Sequence, residues 1–188
     1  FDSCAASASS RYEPGFEDIA PADIYSYEAI EACETALAED SSNIQLMAWL
    51  GNAYVLDGQP GKAVPLLESA AVAGNMVAQR ALGDLLILGK GVARDKVRGA
   101  GLLLQSAEQG FAPAALSLGY SYEFGDGVEI DRAAAMGWYI AAAEAGIIRA
   151  QLLVARHYQD GNGVPADDAA ALGWLQRAAD AGNSEAQY

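Results

Sequence analysis

The chain has 188 residues, 52% hydrophobic and 19% charged, a balance that excludes an intrinsically disordered polymer and supports a buried core in one or two domains. Twenty-five acidic residues against eleven basic ones leave a net charge of -14, which repels phosphate backbones and anionic lipid headgroups and argues against nucleic acid as a partner. No run approaches the roughly 18 consecutive apolar residues of a membrane-spanning helix, so no direct span is expected.

Residues 1–26 carry Pro14 and Pro21, lack a core pattern and read as an extended N-terminal arm. The arm opens on Phe1 rather than Met, with no basic-then-apolar leader ahead of it. The expectation is that a preceding segment has been removed, either by choice of boundary or as a cleaved signal peptide. The two cysteines, Cys4 and Cys33, read either as unrelated buried thiols or as a disulfide. The small residues around Cys4, from Ser3 to Ser10, favour a bridge that pins the arm to the helical run Tyr27 to Leu37. A bridge in turn implies an oxidising compartment, so a periplasmic or secreted location is expected.

The next stretch, 27–73, contains Ala29-Ile-Glu-Ala-Cys-Glu-Thr-Ala-Leu-Ala-Glu-Asp40, Leu50-Gly-Asn-Ala-Tyr54 and Ala63-Val-Pro-Leu-Leu67. It resembles a tetratricopeptide repeat with a shorter turn. From Gly51 to Gly83 the step is 32 residues, and beyond that it lengthens.

From residue 74 to 188 one pattern recurs every 36 residues. Gly89-Lys-Gly-Val-Ala-Arg-Asp95, Gly125-Asp-Gly-Val-Glu-Ile-Asp131 and Gly161-Asn-Gly-Val-Pro-Ala-Asp167 share G-x-G-V-x-x-D. Gly74, Gly110, Gly146 and Gly182 keep the same step, as do Ala78, Ala114, Ala150 and Ala186. Apolar side chains return every three or four positions between these markers, which predicts two helices per period. The first helices are expected at Met76 to Leu88, Pro113 to Phe124 and Ile148 to Asp160. Each stops at a Gly-x-Gly turn, where glycine accepts the positive φ that ends a helix. The second helices start at Asp95, Asp131 and Asp167, whose carboxylates suit free amides at the positive end of the helix dipole, and end at Gly110, Gly146 and Gly182. Small residues at Ala70-Ala71, Ser106-Ala107, Ala142-Ala143 and Ala178-Ala179 permit close helix approach. Tyr54, Leu86, Tyr122 and Tyr158 are expected to fill the space beside the register glycines. An amphipathic hairpin cannot bury its own face, so the predicted fold is all-α, a right-handed α-solenoid of stacked helix-turn-helix repeats of period 36.

The third unit reads Ala114-Ala-Leu-Ser-Leu-Gly-Tyr-Ser-Tyr122, Gly125 to Asp131, Ala135-Met-Gly-Trp138 and Ala142-Ala-Glu-Ala-Gly146. It resembles the Sel-one-like repeat, a helical repeat of about 36 residues related to the tetratricopeptide repeat. The second unit departs from this pattern with Leu102 where Trp138 and Trp174 stand, and the fourth has Ala155 for the register glycine. Residues 183–188 restart a first helix in phase with 147–152, so the last repeat is incomplete. The expectation there is continuation past Tyr188 or a partner's surface in place of a cap.

The chemistry-bearing residues give little support for catalysis, and no catalytic residue is assigned. The glycine turns lack the strand, Lys and Ser or Thr of a phosphate loop, and their acids do not reproduce a calcium loop. His157, the chain's one histidine, cannot build a metal site alone and reads as a packing or surface residue. No cofactor and no metal is expected. The candidate site is a partner-binding stripe on the concave face, at three before, one after and four after each register glycine. It comprises Arg80, Asp84 and Ile87, then Leu116, Tyr120 and Glu123, then Leu152, Arg156 and Gln159.

The resemblance implies an adaptor role. The expected function is a non-catalytic protein-interaction scaffold or accessory subunit of a bacterial envelope complex. Its partner would be one or more proteins, including a membrane-protein complex met on its periplasmic side. The alternative is a secreted cell-wall-active hydrolase or a regulatory repeat segment of a larger enzyme. Cysteine-rich relatives with that activity carry a cysteine pair in each repeat, whereas Cys4 and Cys33 both lie outside the regular units.

Overall fold

The computed structural model describes Cys4 and residues 26–181; most of the expected N-terminal arm and the expected restart at 183–188 lie outside these residues. The described residues form helices joined by short turns: α1 (Ser26–Glu39), α2 (Ile44–Leu56), α3 (Pro60–Val72), α4 (Met76–Leu88), α5 (Lys96–Glu108), α6 (Ala112–Phe124), α7 (Arg132–Glu144), α8 (Ile148–Asp160) and α9 (Asp168–Asp180). The fold is an all-α helical repeat solenoid, and no helix among the described residues is long and apolar enough to cross a membrane. The chain divides into two compact units, the first ending at Phe111 and the second starting at Ala112.

Within the first unit, α1 packs on α2, α2 on α3, α3 on α4 and α4 on α5, with α2 also touching α4. Its core holds Trp49, Leu46, Leu67, Leu82, Leu86 and Leu103, each 3% exposed or less. Cys4 and Cys33 are joined by a disulfide that ties Cys4 to the inner face of α1, and both are fully buried. Gly83 and Gly99 bring α4 and α5 backbone to backbone. A Cβ on either glycine would lie 2.8 to 2.9 Å from the other's carbonyl oxygen. The second unit repeats the plan, with α6 on α7, α7 on α8 and α8 on α9 around Leu118, Met136, Tyr139 and Val154.

Two sets of hydrogen bonds explain why the turns fall where they do. At the ends of the second helices, Gly74, Gly110 and Gly146 take φ of 86 to 88°, and the next residue's N–H donates back across the turn. These bonds run from Asn75 to the Ala70 carbonyl, Phe111 to Ser106 and Ile147 to Ala142. At the starts, Asp95, Asp131 and Asp167 cap their helices. Their side chains accept from the N–H groups of Arg98, Ala134, and Ala169 with Ala170, at 2.9 to 3.0 Å. The N–H of each Asp also donates to a carbonyl nine residues earlier, on Leu86, Tyr122 and Tyr158. Every interhelix turn of this kind is therefore closed by its own repeat.

The fillers beside the register glycines differ in part from expectation. Tyr54 and Leu86 are buried, but Tyr122 and Tyr158 are only half-buried. The space beside Gly119 is taken instead by Tyr139 of α7, which is fully buried. A tyrosine from the second helix reaches the glycine directly and leaves Tyr122 at the edge.

Candidate partner-binding clefts

Each unit carries a cleft between successive first helices. In the first unit it lies between α2 and α4, with a volume of about 410 Å³, and Arg80 and Asp84 line it. In the second unit it lies between α6 and α8, with a volume of about 300 Å³, and Tyr120, Glu123 and Arg156 line it. Five of the nine stripe residues thus meet in two clefts. Ile87 lies instead against Gly99 of α5, and Leu116 and Leu152 are half-buried away from both clefts. Gln159 is exposed at the end of α8.

In the α2–α4 cleft, Arg80 pairs with Asp84 one turn later, Nη2 to Oδ2 at 2.9 Å. Its Nε is buried and lacks a hydrogen-bond partner among the described residues. Leu56 and Leu88, 57% and 58% exposed, stand at the rim. Lys90, in the turn after α4, adds a second cation.

The α6–α8 cleft is built around Glu123. Its Oε2 accepts from the Tyr139 hydroxyl at 2.6 Å, and its Oε1 lies 3.6 Å from His157 Nε2. The other imidazole nitrogen, Nδ1, is 2.9 Å from the carbonyl oxygen of Asn162, so the proton on that nitrogen donates to the turn. His157 is 4% exposed and packs edge-on to Tyr139, with ring centroids 5.4 Å apart, which makes it a packing residue. Burial, then the hydrogen bond and negative charge of Glu123, raise the Tyr139 phenol far above its ordinary range, so it stays a donor. At the mouth, Tyr120 stacks on Phe124 and carries the Arg149 guanidinium over its ring at 5.5 Å, while Arg149 Nε donates to the Tyr120 hydroxyl at 3.0 Å. Arg156 reaches Asp160 at 3.5 Å with both side chains largely exposed.

Chemically these clefts offer apolar rims and paired charges. Glu123 is committed to the Tyr139 hydroxyl, and no group of three or more His, Cys, Asp or Glu able to hold a metal occurs among the described residues. Tyr139 and Glu123 were not paired by sequence reasoning. Their separation of 16 residues joins two helices and follows no local spacing rule.

Paired antiparallel helices at a fixed 36-residue step, with aspartate caps and glycine stops in one register, define an α-helical repeat protein of the interaction type. The Sel1 repeat model matches residues 77–111, 112–147 and 148–183, and the chain belongs to the Sel1 repeat family. Proteins of this family are generally protein-interaction scaffolds, and the fold is generally non-catalytic. Among solved structures, the chain is similar to a Sel1 repeat protein from Oxalobacter formigenes, at 29% identity and a TM-score of 0.73. That match covers 84% of this chain and 65% of the other. It is also similar to c5321, a protective antigen present in uropathogenic Escherichia coli strains that displays an SLR fold, at 27% identity and a TM-score of 0.72. There the match covers 84% of this chain and 34% of the other. The chain thus spans about two thirds of the first relative's length and about one third of the second's. Helicobacter pylori cysteine-rich protein B shares the fold at 20% identity and a TM-score of 0.54, covering 69% of this chain and 94% of that one. No curated protein matches the chain in sequence.

Proposed function

We propose that this protein is an accessory scaffold of a bacterial envelope complex, holding a protein partner along the concave face formed by its first helices. The observation that carries this reading is the recurrence of a cleft between successive first helices, at α2–α4 and at α6–α8, each lined by stripe residues that differ between repeats. A constant frame with variable lining is how repeat proteins build recognition surfaces. The disulfide between Cys4 and Cys33 is compatible with an extracytoplasmic location, since such bonds persist in oxidising compartments. The similarity to a protective antigen supports the same placement. Residues 27–73 serve as a tetratricopeptide-like first unit leading into the Sel1 repeats of 74–188, and the partner is a protein or a membrane-protein complex met on its periplasmic side.

Affinity capture from the native envelope fraction tests this reading, run with the wild type and a Tyr120→Ala, Arg156→Ala double variant. The expected result is a partner that co-purifies with the wild type and is lost from a variant whose helical circular dichroism is unchanged. A partner retained equally by both sinks the assignment to the α6–α8 cleft, and the absence of any partner sinks the scaffold reading.

A further inference from the structure

The molecule carries a net charge of -14, yet the α2–α4 cleft reverses that sign. Two cations, Arg80 and Lys90, face one anion, Asp84, inside a cleft lined also by Asn52 and by the apolar Val55, Leu56, Leu85 and Leu88. Asp84 engages one end of the Arg80 guanidinium and leaves Nε buried without an acceptor among the described residues. The Arg80 side chain as a whole is 35% exposed, so a carboxylate oxygen entering the cleft can reach its guanidinium. Lys90, exposed in the turn after α4, lines the same cleft, and its backbone N–H donates to the Leu85 carbonyl at 3.1 Å. Leu56 and Leu88, each more than half exposed, flank the cations with aliphatic surface. The volume of about 410 Å³ falls within the roughly 300–1,000 Å³ range of ligand pockets.

We infer that this cleft takes a carboxylate side chain flanked by aliphatic residues, presented by an acidic-apolar segment of the protein partner. The inference deepens the scaffold reading and rests on it, since it assigns partner chemistry to one of its clefts. Charge complementarity decides the occupant. A basic segment drawn to the acidic surface elsewhere meets Arg80 and Lys90 here, while an acidic one finds cations in excess among the residues lining this cleft, whereas Arg156 in the other cleft is matched by Glu123 and Asp160. The leucine rim then selects aliphatic neighbours for the carboxylate. A fatty acid offers the same two groups, but Asn52 and Asp84 interrupt the apolar wall that an acyl chain would need.

The test is a titration of the full chain with three peptides, acetyl-Leu-Glu-Leu-amide and its Gln and Lys counterparts, followed by NMR of the leucine methyl groups. The glutamate peptide is expected to shift Leu56, Leu85 and Leu88 to saturation, about fivefold or more tightly than the glutamine peptide, and to weaken with added salt. The lysine peptide is expected to leave them unmoved. Lys90→Glu, at an exposed turn position that carries no core contact, is expected to remove that preference and admit the lysine peptide. Equal affinity for all three peptides, no shift at these methyls, or tighter binding of octanoate than of the glutamate peptide would overturn the inference. Envelope capture separates this failure from failure of the scaffold reading. A partner lost from the Tyr120, Arg156 variant alongside silent peptides removes only the carboxylate assignment.

Discussion

The ring of Tyr139 rests on Gly119, so that one helix meets the next with no side chain between ring and backbone. The same tyrosine then reaches past the glycine to donate to Glu123 one turn further along α6. Gly119→Ala places a methyl group into the ring edge and is expected to cost about 1–3 kcal/mol through overpacking. In a Tyr139→Ala background the ring is gone, and the same change is expected to be neutral or to stabilise by up to about 1 kcal/mol, alanine being the better helix former. Urea unfolding of the four members of this double-mutant cycle measures the coupling; additive effects would show that ring and glycine do not touch.

Alkaline pH should weaken the first unit through Tyr54. Burial, together with its hydrogen bond to Glu34 and that residue's negative charge, pushes the phenol from 10.0 up to about 12. The folded pKa lies above the unfolded one, so the unfolded chain releases this proton first. The contribution is complete below pH 10 and is lost as pH rises to about 12. Tyr54→Phe should flatten the decline in stability over that window, and unchanged steepness would refute the assignment.

Asp167 caps α9 with two hydrogen bonds, to Ala169 and Ala170. Asp167→Ala should destabilise the second unit by about 1 kcal/mol, within the 0.5–2 kcal/mol range of lost caps, while Asp167→Ser or Asp167→Asn should retain most of the wild-type stability. Chemical denaturation of the three variants reads this ranking directly.

Gln79 and Gln151 occupy the same register two repeats apart, and each donates Nε2 to a carbonyl eight residues earlier, on Ala71 and Ala143. Gln79 Oε1 accepts from Gln109, the C-cap of α5, at 2.6 Å. Gln151 Oε1 is buried and has no partner among the described residues, because the matching C-cap of α9 is Ala181. Ala181→Gln should supply the missing donor and stabilise by about 1 kcal/mol. A rise in the urea midpoint at constant m-value is the expected readout.

Helix positions were legible in the sequence because the same residues state them three times. Asp95, Asp131 and Asp167 announce starts, and the Gly-x-Gly pairs announce stops, through local backbone chemistry that needs no tertiary knowledge. Of the stripe positions, the repeat register placed Arg80, Asp84, Tyr120, Glu123 and Arg156 where they line clefts. Ile87 was not, because its register position does not reveal that Gly99 opens a gap on the neighbouring helix for it to fill. Tyr139 and His157 escaped for the same reason: their partners, Glu123 and the Asn162 carbonyl, are set by how helices and turns pack rather than by spacing along one of them.

The bond from each capping aspartate's N–H to the carbonyl nine residues before it lies wholly within one block. A gene encoding such blocks tolerates unequal crossover between any two of them, because the protein product gains or loses whole, already closed hairpins with no broken turn at the junction. Lineages carrying this architecture can therefore change the number of clefts in a single genetic event, and afterwards tune each lining residue by point substitution.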